Sequence, residues 1–391
     1  MIQKRHIGLS VALILSLLTI IRCTSQENEP PGIVIDSSPA PDSVYVGCPS
    51  IAILPNGDYI ASHSWFGPGT SNNLSVVFTS QDKGLSWKKL TELDGQWWSS
   101  LFVHNNALYI MGVDGRYGNV VIRRSDDAGR SWTTPTDVKN GLLLSGSKFH
   151  TAPVPVIIHN GRIWRGFEER TGKKWGTGFS PFVMSAPLDA DLLYAASWTA
   201  SNRLAWGDWS PYGGWLEGNI VKTPNQKLVN ILRLDEPERG GKAAVAQISQ
   251  DGKSTSVDPK AMVIDFPGGC KKFTIRHDPE SDLYWSLTNY AQDKDRANAK
   301  NVERQRNTLA LTASSDLKNW QIRSILLYHP EVRTHGFQYI DWQFDNDDII
   351  AVSRTAFGDA PNCHNANYFT FHRVTNFRER MMHDNLLSDI K

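Results

Sequence analysis

An excess of charge of either sign is missing from this chain: its 391 residues carry 41 Lys and Arg against 40 Asp and Glu, a formal net of +1. So even a balance creates no long-range field for gathering DNA, RNA or anionic lipid, and an anionic ligand has to be met by local Arg and Lys. Cysteine is scarce, with 4 in the whole chain. Long apolar runs are confined to the start. Residues 7–21 are apolar behind Lys4, Arg5 and His6, and nothing later is long enough for a membrane-spanning helix. Helical periodicity is also lacking outside that start, and residues 293–306 read as a charged loop or short helix.

The short apolar run has the length of an export signal, and Cys23 follows it at once. The expectation is a signal over residues 1–23 ending at a lipid-bearing Cys23, a polar tether over 24–32, and one folded domain over 33–391. Arg22 stands where lipid-attachment signals place a small residue, so plain secretion is the alternative. The expected location is the periplasm or the outer-membrane or cell surface, with membrane contact only through the lipid and the protein a monomer. Cys48, Cys270 and Cys363 remain, and an odd number in an oxidising compartment permits at most one disulfide.

What is present is a repeat. Ser80-Gln81-Asp82-Lys83-Gly84-Leu85-Ser86-Trp87 returns as Ser125-Asp126-Asp127-Ala128-Gly129-Arg130-Ser131-Trp132. A worn copy, Ser314-Ser315-Asp316-Leu317-Lys318-Asn319-Trp320, keeps the Asp and the Trp but lacks the Gly. The pattern makes sense as a hairpin turn: Asp accepts backbone N–H bonds, Gly takes a positive φ, and Trp packs back onto the sheet. It resembles the Asp box of sialidase-like propellers, which carries no catalytic information. Short alternating strands broken by Asn56-Gly57-Asp58 and Asn160-Gly161 support an all-β closed structure. Residues 33–378 divide into seven units of roughly fifty, so the expected fold is a seven-bladed β-propeller, with six blades as the alternative.

Further stretches carry a second resemblance: Ala61-Ser62-His63-Ser64-Trp65-Phe66-Gly67-Pro68, Phe149-His150-Thr151-Ala152-Pro153, Trp215-Leu216-Glu217-Gly218-Asn219, and Gly336-Phe337-Gln338-Tyr339-Ile340-Asp341-Trp342. They are similar to glycoside hydrolase family 145, which removes L-rhamnose from glucuronic acid, and to the related ulvan lyases. The resemblance implies an enzyme acting on rhamnose–glucuronate linkages of a uronic-acid-containing polysaccharide, without a cofactor. His63 matches the rhamnosidases' single catalytic histidine by position and context, and imidazole titrates where it can move a proton. The bland reading of His63 is a histidine that holds a loop.

Elimination at a uronate is the rival chemistry. It needs a base, a cation on the carboxylate and an acid for the leaving oxygen. His150 is the base candidate and Arg233 the carboxylate clamp. Tyr212 is the tyrosine nearest to Trp215 and Glu217 in sequence. Sugar-binding candidates are Trp97, Trp98, Trp215, Glu217, Lys272, Arg306, His335, Tyr339, Arg354, His364 and Tyr368. A sialidase requires three arginines, an Asp acid and a Tyr–Glu pair, and usually opens with Arg-Ile-Pro, a tripeptide this chain lacks. Cys270, His277, Cys363 and His364 are residue types that bind zinc, but their spacing fits no standard closed site. A propeller that binds glycan without cleaving it is the non-enzymatic alternative.

Overall fold

The computed structural model describes residues 29–207, 209, 211–236, 240–258, 261–296 and 301–382. The expected export signal and Cys23 lie outside them. Twenty-six strands form six antiparallel sheets, and each sheet is one blade of a ring. The first blade runs outward through Tyr45–Ile53, Tyr59–Phe66, Leu74–Ser80 and Lys88–Asp94. Trp97–His104, Phe149–His150, Trp215–Lys222, Thr274–Asp278 and Gly336–Asp345 are the inner strands of the next five. The sixth blade takes its outermost strand, Ile33–Ser37, from the beginning of the domain, paired antiparallel with Tyr368–Val374.

Six blades replace the seven expected, and the reason is loop length. Among its described residues, the stretch between the third-blade strand Phe179–Pro187 and the inner strand Trp215–Lys222 holds only a two-residue strand and one 3-10 turn. In the fifth blade, Leu283–Thr288 and Thr308–Ser314 are separated by a loop whose described residues hold a four-residue α turn, Asp293–Arg296, and a 3-10 turn, Val302–Arg304. Equal division of the chain counted these connections as blade.

Blades pack through alternating apolar faces. Trp164, Trp215, Trp285 and Trp342 are each at most 1 % exposed. Val46, Ile51, Ala61, Val76 and Phe78 of the first blade meet Ile350, Val352, Phe369 and Phe371 of the sixth in one cluster. A belt of polar bonds also joins successive inner strands. Asp341 accepts from the Ser50 hydroxyl at 2.7 Å and from the Ile51 N–H at 3.1 Å. Ser50 Oγ in turn accepts from the Leu101 N–H, and the Ser100 hydroxyl donates to the Val154 carbonyl. Asn219 bridges Phe273 O and Ile275 N, and Thr274 donates to Ile340 O. Every bond in this belt is buried, so each replaces water at an otherwise orphaned group.

The Asp boxes close the outer hairpins. Asp82 accepts from Ser86 N and Ser86 Oγ, and Trp87 Nε1 donates to Gly84 O at 3.1 Å. Asp127, Ser131, Trp132 and Gly129 repeat the set. Gly84 needs its φ of +91°, and a Cβ there would run into the Phe371 ring. The worn copy keeps the turn with Leu317 at φ 65° and Trp320 Nε1 on Leu317 O. A shorter turn in the fourth blade, Ser249 to Ser254 around Asp251, forms related bonds. Hydrogen bonds from the Ser86 and Ser131 hydroxyls lower the carboxyls of Asp82 and Asp127 from 3.8 to about 2. Their contribution to stability is therefore present above the ordinary carboxylate range and is lost as pH falls toward about 2. Carboxyl NMR shifts should titrate accordingly; a midpoint at the ordinary value would mean that these turns are open in solution.

Candidate functional site

A recurrent backbone device shapes the channel. In four inner strands the pairing register shifts, at Gly47/Ser50, Trp97/Ser100, Leu216/Asn219 and Gln338/Asp341. Inside each shift sits a non-glycine residue in the left-handed region: Cys48 (φ 42°), Trp98 (47°), Glu217 (58°) and Tyr339 (56°). Such a conformation costs about 1–3 kcal/mol per residue and is held only where the surroundings over-determine it. A bulge of this kind re-aims one side chain. Here four blades aim theirs at a common centre.

The contacts confirm convergence. Tyr339 donates its phenol to Glu217 Oε1 at 2.7 Å, across from the sixth blade to the fourth. Arg233 Nη1 meets the other oxygen of Glu217 at 3.1 Å, and its Nε lies 3.2 Å from Asp235. Arg354 places its guanidinium 4.7 Å from the Tyr339 ring centre and 4.6 Å from Phe66, anchored on His364 O. Lys272 donates to Thr274 Oγ1 at 2.7 Å and Ile340 O at 2.5 Å. His150 bonds Glu168 Oε2 through Nδ1 at 2.8 Å, which fixes the ring and leaves Nε2 outside that bond. Glu168 Oε1 accepts from the Glu217 N–H at 2.8 Å, tying the histidine's partner to the carboxylate's own backbone.

Electrostatics follow from that packing. Burial alone would raise the Glu217 carboxyl, but Arg233, His150 and the Tyr339 hydroxyl outweigh it and hold it below its usual range. Burial, with the negative charge of Glu217, pushes the Tyr339 phenol well up, so it stays protonated until its proton can pass to Glu217. Burial lowers Lys272 to about 8 and Arg354 to about 10, the latter helped by Arg306. Burial raises the Cys48 thiol to about 12, beside Arg354, Glu217 and Lys272. Arg233, Arg306, Arg354 and Lys272 thus make the fourth, fifth and sixth blades a cationic wall.

Several residues singled out by sequence stand elsewhere. His63 is 1 % exposed in the second strand of the first blade, with Nε2 on Asp36 at 2.9 Å and its ring among Trp65, Phe78 and Phe369. Sealed between blades, it reaches no channel group, and the catalytic role expected of it is withdrawn. His63→Gln should therefore keep full turnover on any substrate while losing about 1–2 kcal/mol of stability. Loss of turnover at unchanged unfolding midpoint would restore the original assignment. Tyr212 belongs to the aromatic cluster of Trp206, Trp209 and Trp215, and the tyrosine that bonds Glu217 is Tyr339. Trp215 is fully buried and donates to Phe179 O, and Trp97 is buried beneath Trp98 and donates to Trp65 O. His335 stacks on His329 at 3.6 Å below Phe357 on the rim. Tyr368 is paired with Ser37 and Thr355 at the start of an outer strand.

Cys48, Glu168 and the aromatics Tyr117 and Trp175 near His150 went unrecognised. The clue was a small or polar residue two positions after each bulge, as in Cys48-Pro49-Ser50, Trp98-Ser99-Ser100, Glu217-Gly218-Asn219 and Tyr339-Ile340-Asp341. Among the described residues no three His, Cys, Asp or Glu gather to hold a metal ion, and the three described cysteines are unpaired. Cys270 accepts from Lys271 Nζ, Cys363 lies against Arg304 O, and His277 pairs with Asp282.

No protein-family model matches the chain, and no curated protein matches it in sequence. Solved structures do match in fold. The alpha-L-arabinanase of Penicillium chrysogenum is 14% identical, with a TM-score of 0.56 over 90% of this chain and 99% of that one. An alpha-L-arabinofuranosidase from Fusarium graminearum is 11% identical with a TM-score of 0.57, covering 88% and 97%. The Trypanosoma rangeli sialidase is 15% identical with a TM-score of 0.52, covering 84% of this chain and 54% of its own. These likenesses support the fold, an all-β propeller, and nothing finer.

Proposed function

We propose that this propeller is a glycoside hydrolase that cleaves glycans at an acidic sugar, with Tyr339 and Glu217 as its nucleophile pair. One observation carries the reading: a phenol hydrogen-bonded at 2.7 Å to an ionised carboxylate, with cationic side chains around both. The arrangement fits a substrate that brings its own negative charge. A carboxylate nucleophile would be repelled by an acidic sugar, whereas a phenol arrives neutral and becomes negative only as its proton leaves. Arg233, Arg306, Arg354 and Lys272 supply the counter-charge, and arginine's planar fork suits a carboxylate. The structural neighbours named above as an arabinanase, an arabinofuranosidase and a sialidase lend the general class support.

The chemistry divides into two balanced steps. Tyr339 Oη attacks the anomeric carbon while its proton passes to Glu217 Oε1, and the C–O bond to the leaving sugar breaks. His150, protonated at Nε2, gives that proton to the departing oxygen. Neutral His150 then takes a proton from water, which attacks the anomeric carbon and releases Tyr339; Glu217 returns the phenolic proton. The outcome is retention, reached without the usual carboxylate pair.

Elimination is the second reading, favoured by the Glu168 bond that leaves His150 Nε2 as a base. His150 would then take the proton next to an arginine-held carboxylate, and Tyr339 would give its own to the leaving oxygen. Rhamnose–glucuronate is the first linkage to try, because its uronate matches the cationic wall. Purified protein incubated with a rhamnose-capped arabinogalactan and with ulvan decides between the readings. Free sugar without ultraviolet absorbance supports hydrolysis, an unsaturated uronate supports elimination, and neither product from any acidic glycan overturns both.

The wall also sets a pH limb. Lys272 carries its charge below about 8 and loses it above, so KM for an acidic substrate should rise as pH passes that value. In Lys272→Met the rise should disappear, leaving a uniformly higher KM; an unchanged limb would assign the titration to another group.

A further inference from the structure

The channel has a second wall. Opposite the arginines, the second and third blades present Trp98, Tyr117 and Trp175 around His150. Trp98 meets the His150 ring at 4.4 Å and Tyr117 at 5.5 Å, both edge-on. Trp175 stands 5.9 Å from the same imidazole and is 47 % exposed, although it is held edge-on against buried Phe179 at 5.0 Å. Its loop is not loose. Gly178 N bonds Lys174 O, Thr177 N bonds Trp175 O, and Arg170 Nη2 bonds Lys173 O. At Gly176, φ +76°, a Cβ would meet Gly213 O, so the loop is pressed onto the entry to the fourth blade. Trp175 is the exposed member of an aromatic group, with Trp98 and Tyr117, that surrounds a candidate acid–base imidazole.

We propose that Trp175 is the platform for the sugar adjoining the acidic one, so that the ligand is an acidic glycan of at least two rings. This rests on the cationic wall holding the acidic ring, as argued above. With the carboxylate held at the cationic wall and the scissile oxygen at His150, the neighbouring ring extends toward the second and third blades. There it meets an indole whose flat face suits the C–H face of a sugar. The exposed cations Arg116, Lys173 and Lys174 flank this platform and suit further acidic residues of a longer chain.

Binding measured by calorimetry tests the platform independently of turnover, with glucuronic acid and a rhamnosyl-glucuronic acid disaccharide as probes. The disaccharide should bind wild type about tenfold more tightly than the monosaccharide, and Trp175→Ala should erase that difference while leaving glucuronic acid unaffected. Trp175→Phe should restore part of it. Equal affinity of the two probes for wild type would overturn the platform, as would a Trp175→Ala variant that keeps the difference. If glucuronic acid itself fails to bind, or binds equally well to Arg233→Met, it is the cationic-wall reading that falls.

Discussion

Replacing Tyr339 by Phe is expected to lower kcat/KM roughly a thousandfold or more while the unfolding midpoint hardly moves. The phenol has one strong bond, to Glu217, and Phe keeps the ring that Arg354 covers. Only the reacting oxygen is lost. Glu217→Gln should be at least as damaging, because an amide cannot take the phenolic proton and Arg233 loses the partner that fixes its fork. The double variant should be no worse than the poorer single one, since the two groups act as a unit. Steady-state kinetics on the acidic glycan identified by product analysis is the measurement. If Tyr339→Phe turns over within about tenfold of wild type, the phenol is a binding group and His150 carries the chemistry alone.

Asp341→Ala should cost about 3–5 kcal/mol, the largest stability loss of any single change considered. Its carboxylate is 3 % exposed and accepts from Ser50 Oγ, Ile51 N and Trp342 N, with Arg276 Nη2 at 3.5 Å. Alanine takes the carboxylate acceptor from two backbone amides and a hydroxyl at the seam between the sixth and first blades, and removes the counter-charge of Arg276, which keeps only its bond to Trp342 O. Urea unfolding should show a lower midpoint at unchanged slope. A loss below about 1 kcal/mol would mean that water enters the seam and replaces the carboxylate.

What could be read from the chain beforehand divides by range of interaction. The Asp boxes were legible because every bond in them closes within eight residues, from Ser80 to Trp87 and from Ser125 to Trp132. Glu217, Tyr339, Arg233 and His150 were legible as residue types in recognisable contexts, but their pairing was not. Tyr339 and Glu217 are separated by 122 positions, and only ring closure with two matching bulges brings them together. Tyr212 was favoured over Tyr339 on sequence distance, a measure that a propeller scrambles by design of its topology. His63 misled for the same reason: its partner Asp36 lies 27 positions earlier, in a strand lent to another blade. The propeller itself was legible, and the count settles on six, the alternative, rather than seven because loop and strand were weighed alike, although long connections are where such folds place specificity.

The borrowed strand has a consequence for how the molecule is made. Ile33–Ser37 is synthesised ahead of every other strand of the ring but pairs with Tyr368–Val374, the last of the described strands. During elongation the leading strand waits without a neighbour, and the most recently formed blade presents a bare hydrogen-bonding margin. Such margins invite association between nascent copies until the final strand arrives. Shortening the chain past Asp36 would do double harm, opening the ring and stranding the imidazole of His63 together.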